Sequence, residues 1–540
     1  MNRNPDELAA SSALRVESKP ERRDAPQLGG EPPLGAGQRP RSGSPPGSKT
    51  TRGIGIPWLV VLGVGVIAAL GSIPWWREFS PWAGLVSALL AMTVLHMGYS
   101  CRDVVPFPHL GVLVCTVQYG LAPWAAWYYP AENPVYSISD YSHYFSYAGP
   151  ALLAISLAWT TSLVGLNLGG QRHSRSEGSP RLARELDWLL WGGIALKLAV
   201  GSAQLGGVAF LILLLADLRF IGAIGLMLLG APGWRWRVAV LFMLEASGSV
   251  AAGMFHEMVL WGLGFFIAWL FVRRPPLLVS LAWLLLVCGG VFVLNDAKWQ
   301  IREAIWLGGG GRVTVFGKDM YVSDWNRPLV GALCMAESAT KLFTVRYGND
   351  SVGDMVMRFN QGWIIDRILR HVPAEEPYAR GSTVISAFES SLLPRVLAPE
   401  KQMAGGQAFM ERFAGYTLIE GTSMNLGFAG EMYANFGYWG GIVGCGLYAL
   451  VMALGFRWLA LRARSSPLWW AILAYVGHWA LKAETDIGAV LNYIVKAAIV
   501  VYVISMCLPA FHAELTGRSV ATRRSSRRGR EVKTAETLKS

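Results

Sequence analysis

A chain of 540 residues and 58.9 kDa, with a mean hydropathy of +0.35, 53% hydrophobic and only 16% charged residues, carries more apolar surface than soluble cores can hide. A soluble enzyme is excluded, and 23 Trp, 61 Gly and a pI near 9.5 fit an all-α polytopic membrane protein with aromatic belts at its interfaces. The net charge of +12 sits largely in short connections and the two tails, which reads as membrane topology and not as a nucleic-acid partner.

Residues 1–52 are rich in Pro, Gly, Ser, Arg and Glu without apolar periodicity and read as a disordered cytoplasmic tail. Apolar runs long enough to span follow at 54–74, 82–100, 106–128, 144–166, 186–203, 205–230, 237–254, 257–272, 277–294, 436–456, 467–481 and 488–508, about twelve transmembrane helices. Transmembrane helices 1–9 occupy 53–294 and helices 10–12 occupy 430–510. Basic connections stay in the cytoplasm. Arg172, Arg175, Arg181 and Arg184, then Arg235 and Arg237, Arg273 and Arg274, and Arg457, Arg462 and Arg464 all fall on one side by this rule, while Tyr129 to Tyr141 has no Lys or Arg and falls outside. Both termini are then cytoplasmic. The segment 511–540, with Arg523, Arg524, Arg527, Arg528 and Arg530, is a basic cytoplasmic tail, and residues 295–429 form one long, mostly helical periplasmic loop.

The cysteines Cys101, Cys115, Cys288, Cys334, Cys445 and Cys507 contain no C-x-x-C pair and no His at zinc-ligand spacing, so no metal site is expected. Only Cys334 would face the oxidising side, where it has no evident disulfide partner. Ionisable residues inside apolar runs are costly and face a cavity or each other. Asp217 and Arg219 are two apart on a helix and do not face one another, so each is expected to find another partner. Glu245, His256 and Glu257 are also near or within apolar runs, and Lys482, Glu484 and Asp486 lie between the last two helices; His96 and His478 read as packing histidines.

Within the outer loop, Ser351 to Pro373 reads as one helix with Ser351 as its N-cap and Pro373 as its stop. On it Arg367 lies one turn from Arg370 and His371, with Arg358 and Asp366 nearby, a cationic cluster suited to an anionic group such as a diphosphate headgroup. The same residues also fit a salt-bridged surface helix neutralised by Asp366, Glu375 and Glu376. Farther on, Glu431 and Asn435 are four apart and share one face at the outer mouth of the tenth helix. A carboxylate there is also favoured by the helix dipole, and the neighbouring glycines by close helix packing.

The run R-F-N-Q, V-P, P-Y-A-R-G-S-T and L-P-R-V-L-A-P-E-K between Arg358 and Lys401, followed by G-E-M-Y-A-N-F-G-Y-W-G-G from Gly430, resembles bacterial oligosaccharide repeat-unit polymerases, the Wzy-type O-antigen and exopolysaccharide polymerases. The likeness covers mainly 350–456, about a fifth of the chain, and departs from the family's pattern at Ala398, where Trp is common, and Gln402, where Pro is common.

The resemblance implies a glycosyltransferase of the bacterial inner membrane that uses no metal or cofactor. It would join undecaprenyl-diphosphate-linked repeat units on the periplasmic face among membrane lipids, with a chain-length regulator and a flippase as further candidate partners. Such a reaction needs cations for the diphosphate leaving group and a base for the acceptor hydroxyl. Arg380 and Arg395, with Glu431 as first choice of base ahead of Glu389 and His371, are the expected catalytic residues; Arg358, Arg367, Arg370, His371, Lys401 and Asn435 are expected to bind substrate. Rival readings are a lipid-carrier glycan ligase, a transporter or flippase, and an exosortase-like peptidase built on Cys334.

Overall fold

The computed structural model describes residues 58–517 except 76–80, 101–104, 131–132, 167–178, 201–208, 253–254, 274–275, 306–310, 324–325, 344–348, 393–405 and 419–423. The amino-terminal tail, Arg395, Lys401 and the basic run from Arg518 lie outside the described residues.

The apolar runs fold as helices: α1 (Trp58–Gly71), α2 (Trp82–Ser100), α3 (Phe107–Tyr128, with a π-helical turn at Val117–Leu121), α4 (Tyr141–Thr161), α5 (Pro180–Val200), α6 (Ala209–Leu228), α7 (Trp234–Ala252), α8 (His256–Arg273) and α9 (Leu277–Ile305). Toward the carboxyl end come α15 (Gly427–Arg462), α16 (Leu468–Gly477), α17 (Ile487–Cys507) and α18 (Pro509–Thr516). Among the described residues, five helices are long and apolar enough to cross a membrane, at Trp82–Ser100, Phe107–Tyr128, Phe210–Leu228, Gly427–Arg462 and Ile487–Cys507, and three shorter apolar helices join them. The fold is that of an all-α membrane protein.

Among the described residues between α9 and α15 are a β-hairpin and five short helices: β1 (Arg312–Val315) pairs antiparallel with β2 (Lys318–Tyr321), followed by α10 (Arg327–Phe343), α11 (Asn349–Phe359), α12 (Gly362–His371), α13 (Ser382–Leu392) and α14 (Gln407–Ala414). The hairpin, turned by left-handed residues at Phe316 and Gly317, was not expected from the sequence. Val313 and Val315 close a small core with Ala297 and Ile301 of α9 and Cys334 of α10.

Three local expectations are corrected. The single helix expected from Ser351 to Pro373 is two, α11 and α12, broken at Asn360, whose buried side chain accepts from Gly362 N at 2.9 Å. The ninth run continues as helix to Ile305, carrying Lys298 and Arg302 beyond the apolar stretch. At the other end, the chain assigned to a tail from residue 511 is still helical in α18, whose Ala510 and Phe511 amides donate to Glu185 of α5.

The largest departure is in α15. Gly437 has φ 70 and ψ −161, which interrupts the helix and reverses it. Phe428 stacks on Tyr448 with ring centroids 4.7 Å apart, and a Cβ on Gly444 would meet the side chain of Met432 at 2.6 Å. Residues 427–436 therefore form a short arm antiparallel to the long arm 438–462, and glycine on the long arm permits the close approach. One stripe of the long arm is exposed and apolar throughout: Trp439, Val443, Leu447, Val451, Leu454 and Trp458. Its two tryptophans are about 28 Å apart at 1.5 Å per residue, close to the hydrocarbon thickness, as aromatic belts at two interfaces would be.

Candidate functional site

The Gly437 reversal leaves the carbonyls at the end of the short arm without their helical partners. The loop before α13 supplies replacements: Ala379 N donates to Ala434 O at 2.9 Å and Arg380 N to Asn435 O at 3.0 Å. Asn435 then binds the same loop through its side chain. Its Oδ1 accepts from Gly381 N at 3.0 Å, while its Nδ2 donates to Thr383 Oγ1 at 2.7 Å and to Glu431 O at 2.8 Å. To lie flat on the arm the loop takes two left-handed residues in succession, Arg380 at φ 50 and Gly381 at φ 86. That conformation disfavours a residue with a Cβ. The guanidinium of Arg380 is exposed at this point.

Beneath the loop Glu431, 1% exposed, joins three chain segments. Its Oε1 accepts from Thr383 Oγ1 at 2.7 Å and its Oε2 from Ile487 N, the first residue of α17, at 2.8 Å. Asp486, fully buried, returns the favour: its Oδ1 accepts from Leu426 N at 3.0 Å, just before the short arm. Two helix starts are thus capped reciprocally by each other's carboxylate, where the dipoles favour negative charge. Glu431 lies about 9 Å along the arm from the turn, so the expected position at the helix mouth is corrected to a buried one.

In the expected cationic cluster on α12, Arg370 and His371 meet carboxylates and Arg367 meets an aromatic ring. Arg370 donates to Asp366 Oδ2 through Nε at 3.2 Å and Nη2 at 3.0 Å, and Asp366, fully buried, also accepts from Ser139 N at 3.0 Å. His371 Nδ1 lies 3.2 Å from Glu375 Oε2, and Arg412 pairs with Glu376 at 2.6 Å. Arg367 stands over the Tyr416 ring, 5.1 Å from its centroid. Arg358 belongs to a third group, beside Lys298 and Arg302 of α9, and burial, with these neighbouring cations adding to it, pushes the Lys298 ammonium down to about 7. The structure therefore brings Arg380, Glu431 and Asn435 together, gathers Arg367, Arg370 and His371 on α12, and sets Arg358 apart from both. Glu389 is exposed on α13.

Thr383 and Asp486 are the members of the hub that sequence reasoning did not select. Thr383 stood inside the quoted P-Y-A-R-G-S-T run, and Asp486 precedes an apolar helix as an N-cap would, yet it caps a different helix.

The buried charges in the other half of the bundle differ from expectation too. Arg219, fully buried, donates from Nη1 to Asp217 Oδ1 and from Nε to Glu245 Oε1, both at 2.8 Å. Asp217 and Arg219 do meet, because the long guanidinium side chain folds back along its own helix while also reaching α7. Cys334 is fully buried, and burial raises its thiol to about 11, conditions that oppose a peptidase nucleophile. No group of three His, Cys, Asp or Glu able to hold a metal occurs among the described residues. Comparisons with protein-family models, curated proteins and solved structures find no match for this chain.

Proposed function

We propose that this protein is a membrane glycosyltransferase of the repeat-unit polymerase type, crossing the bacterial inner membrane twelve times with both termini in the cytoplasm and joining undecaprenyl-diphosphate-linked glycans on the outer face. One observation supports this reading above the resemblance itself: Arg380 is an exposed guanidinium held in a disfavoured backbone conformation by a loop stapled to Asn435. Backbone strain maintained by surrounding bonds is what positioning a charged group at a reaction centre requires. An acceptor hydroxyl attacks the anomeric carbon, the bond to the diphosphate oxygen breaks, the proton passes to a base, and the departing diphosphate gathers charge beside Arg380.

Glu431 takes the hydroxyl's proton in this scheme only when α13 moves, because both its oxygens are engaged and its carboxylate is buried. In the resting arrangement it positions the loop. Transport is the reading that a separate feature favours: the helix starts at Gly427 and Ile487 meet inside the bundle, as discontinuous helices do around transported anions. Here each start already carries a carboxylate of the chain.

Mass analysis of lipid-linked glycans in a strain lacking the protein tests the proposal. A polymerase leaves single repeat units on carrier at the outer face and no long chains. Units trapped facing the cytoplasm indicate a flippase, long chains retained on carrier indicate a ligase, and unaltered glycans remove the proposal.

A further inference from the structure

Helix α13 follows Arg380 by two residues and was expected to belong to a loop outside the membrane. Its start is fixed at Glu431, which accepts from Thr383 of α13 and from Ile487 of α17. The two helices begin at one carboxylate and run side by side. Burial along α17 gives the direction. From Ile487 to Lys496 no residue of α17 is exposed, whereas from Ala498 onward Ala498, Ile499, Tyr502, Val503 and Met506 are. Eleven residues of α13, about 16 Å of helix, cover the face of α17 that becomes bare once α13 has ended.

The end toward which α17 runs is the one marked by Trp458. Beyond α17, Leu515 O of α18 accepts from Trp469 Nε1, and Trp469 lies edge-on to Trp458 at 5.7 Å between centroids. Thus α13 descends from the level of Glu431 toward the far belt, alongside a helix that is itself apolar and long enough to span.

The two faces of α13 match that placement. Small and polar residues, Thr383, Ala387, Ser390 and Ser391, are buried. Ile385, Phe388 and Leu392, spaced three and four apart on one face, are 59, 54 and 69% exposed. Large apolar side chains left this bare on one face of a helix need an apolar neighbour, and α17 and the Trp439 to Trp458 stripe of α15 also carry exposed large apolar side chains. Glu389 is the one ionisable residue among the exposed positions of α13, and a carboxyl in hydrocarbon is expensive unless protonated or met by a cation.

We infer that α13 is a re-entrant half-span: it enters the bilayer from the outer side beside α17 and presents Ile385, Phe388 and Leu392 to lipid acyl chains. Its backbone hydrogen bonds are satisfied internally, as a helix in hydrocarbon requires. Arg380 then stands at the mouth of a membrane-inserted helix. The inference goes beyond the glycosyl-transfer proposal and holds or fails without it.

A photoactivatable benzophenone side chain placed at 385 or 388, in protein reconstituted into phosphatidylcholine vesicles, tests it, with the same group at 375 as the water-facing control. At 388 it replaces one exposed aromatic with another, so folding is little disturbed. Illumination should give phospholipid adducts by mass at 385 and 388, at least fivefold more than at 375. Crosslinks to protein, whether to 393–405 or to a second copy, would show the face covered and overturn the inference, as would lipid adducts no more frequent than at 375. These readouts are independent of glycan length.

Discussion

Two arginine-bearing stretches, α12 and the loop before α13, differ in how the fold treats their charges. On α12 the Arg370 guanidinium is answered within one turn by Asp366, the His371 imidazole lies against Glu375, and Arg367 stands over the Tyr416 ring. In the loop, Arg380 is set out into the open while the buried polar groups beneath it, Glu431, Asn435 and Thr383, are bonded to one another and to backbone. The difference teaches that a run of cations in sequence is a weak pointer to an anion site, because paired charges have little left for a ligand. An exposed cation whose backbone is held against its own preference is the stronger pointer.

The sharpest way to break the comparison is to remove the hub. Glu431→Ala leaves the Thr383 hydroxyl and the Ile487 amide buried without their acceptor, at about 1–3 kcal/mol each, so an overall loss of about 3–5 kcal/mol is expected in thermal unfolding in detergent. A loss under about 1 kcal/mol would mean that the loop does not depend on the arm. Arg380→Gly sharpens the contrast by separating stability from function. Glycine accepts φ 50 without the Cβ penalty, so stability should rise by about 1 kcal/mol, while long-chain glycan, on the proposed function, falls at least tenfold. Arg380→Lys keeps the charge without the planar fork and should fall between the two. On the other side, Arg370→Ala removes a half-exposed partner from a carboxylate that still holds Ser139 N. The expected loss is about 1 kcal/mol or less, with glycan length unchanged; loss of long chains in this variant would return α12 to the site.

The helices were legible because apolar runs of spanning length leave few alternatives, and α2, α3 and α17 lie close to their expected limits. What periodicity could not see were reversals within an apolar or amphipathic run. Gly437 sits among residues that continue a helical pattern on either side, and only its positive φ turns the arm back and moves Glu431 from the surface into the core. The break at Asn360 is of the same kind, a buried side chain capping where spacing alone reads one helix. Glu431 and Asn435 were selected for sharing a face, and they do meet through Asn435 Nδ2 and Glu431 O. Asp486 could not be joined to them from sequence, since 60 positions separate it from the Leu426 amide that it caps.

The smallest effect lies in the third cationic group, where α9 runs past its apolar stretch and sets Lys298 and Arg302 beside Arg358. Burial lowers the Lys298 ammonium to about 7, with Arg358 and then Arg302 adding to it, against an unfolded value near that of a free lysine. Because the folded value is depressed, the unfolded chain holds more protons between about pH 7 and 10, and stability must rise with pH across that window and stay level below it. The apparent melting temperature in detergent should climb on the order of 1 °C from pH 7 to 9. Arg358→Ala should flatten part of that climb, because it removes one source of the repulsion but not the burial. A melting temperature that stayed level between pH 7 and 9, equally in both proteins, would show that carboxylates meet these cations as Asp366 meets Arg370 on α12.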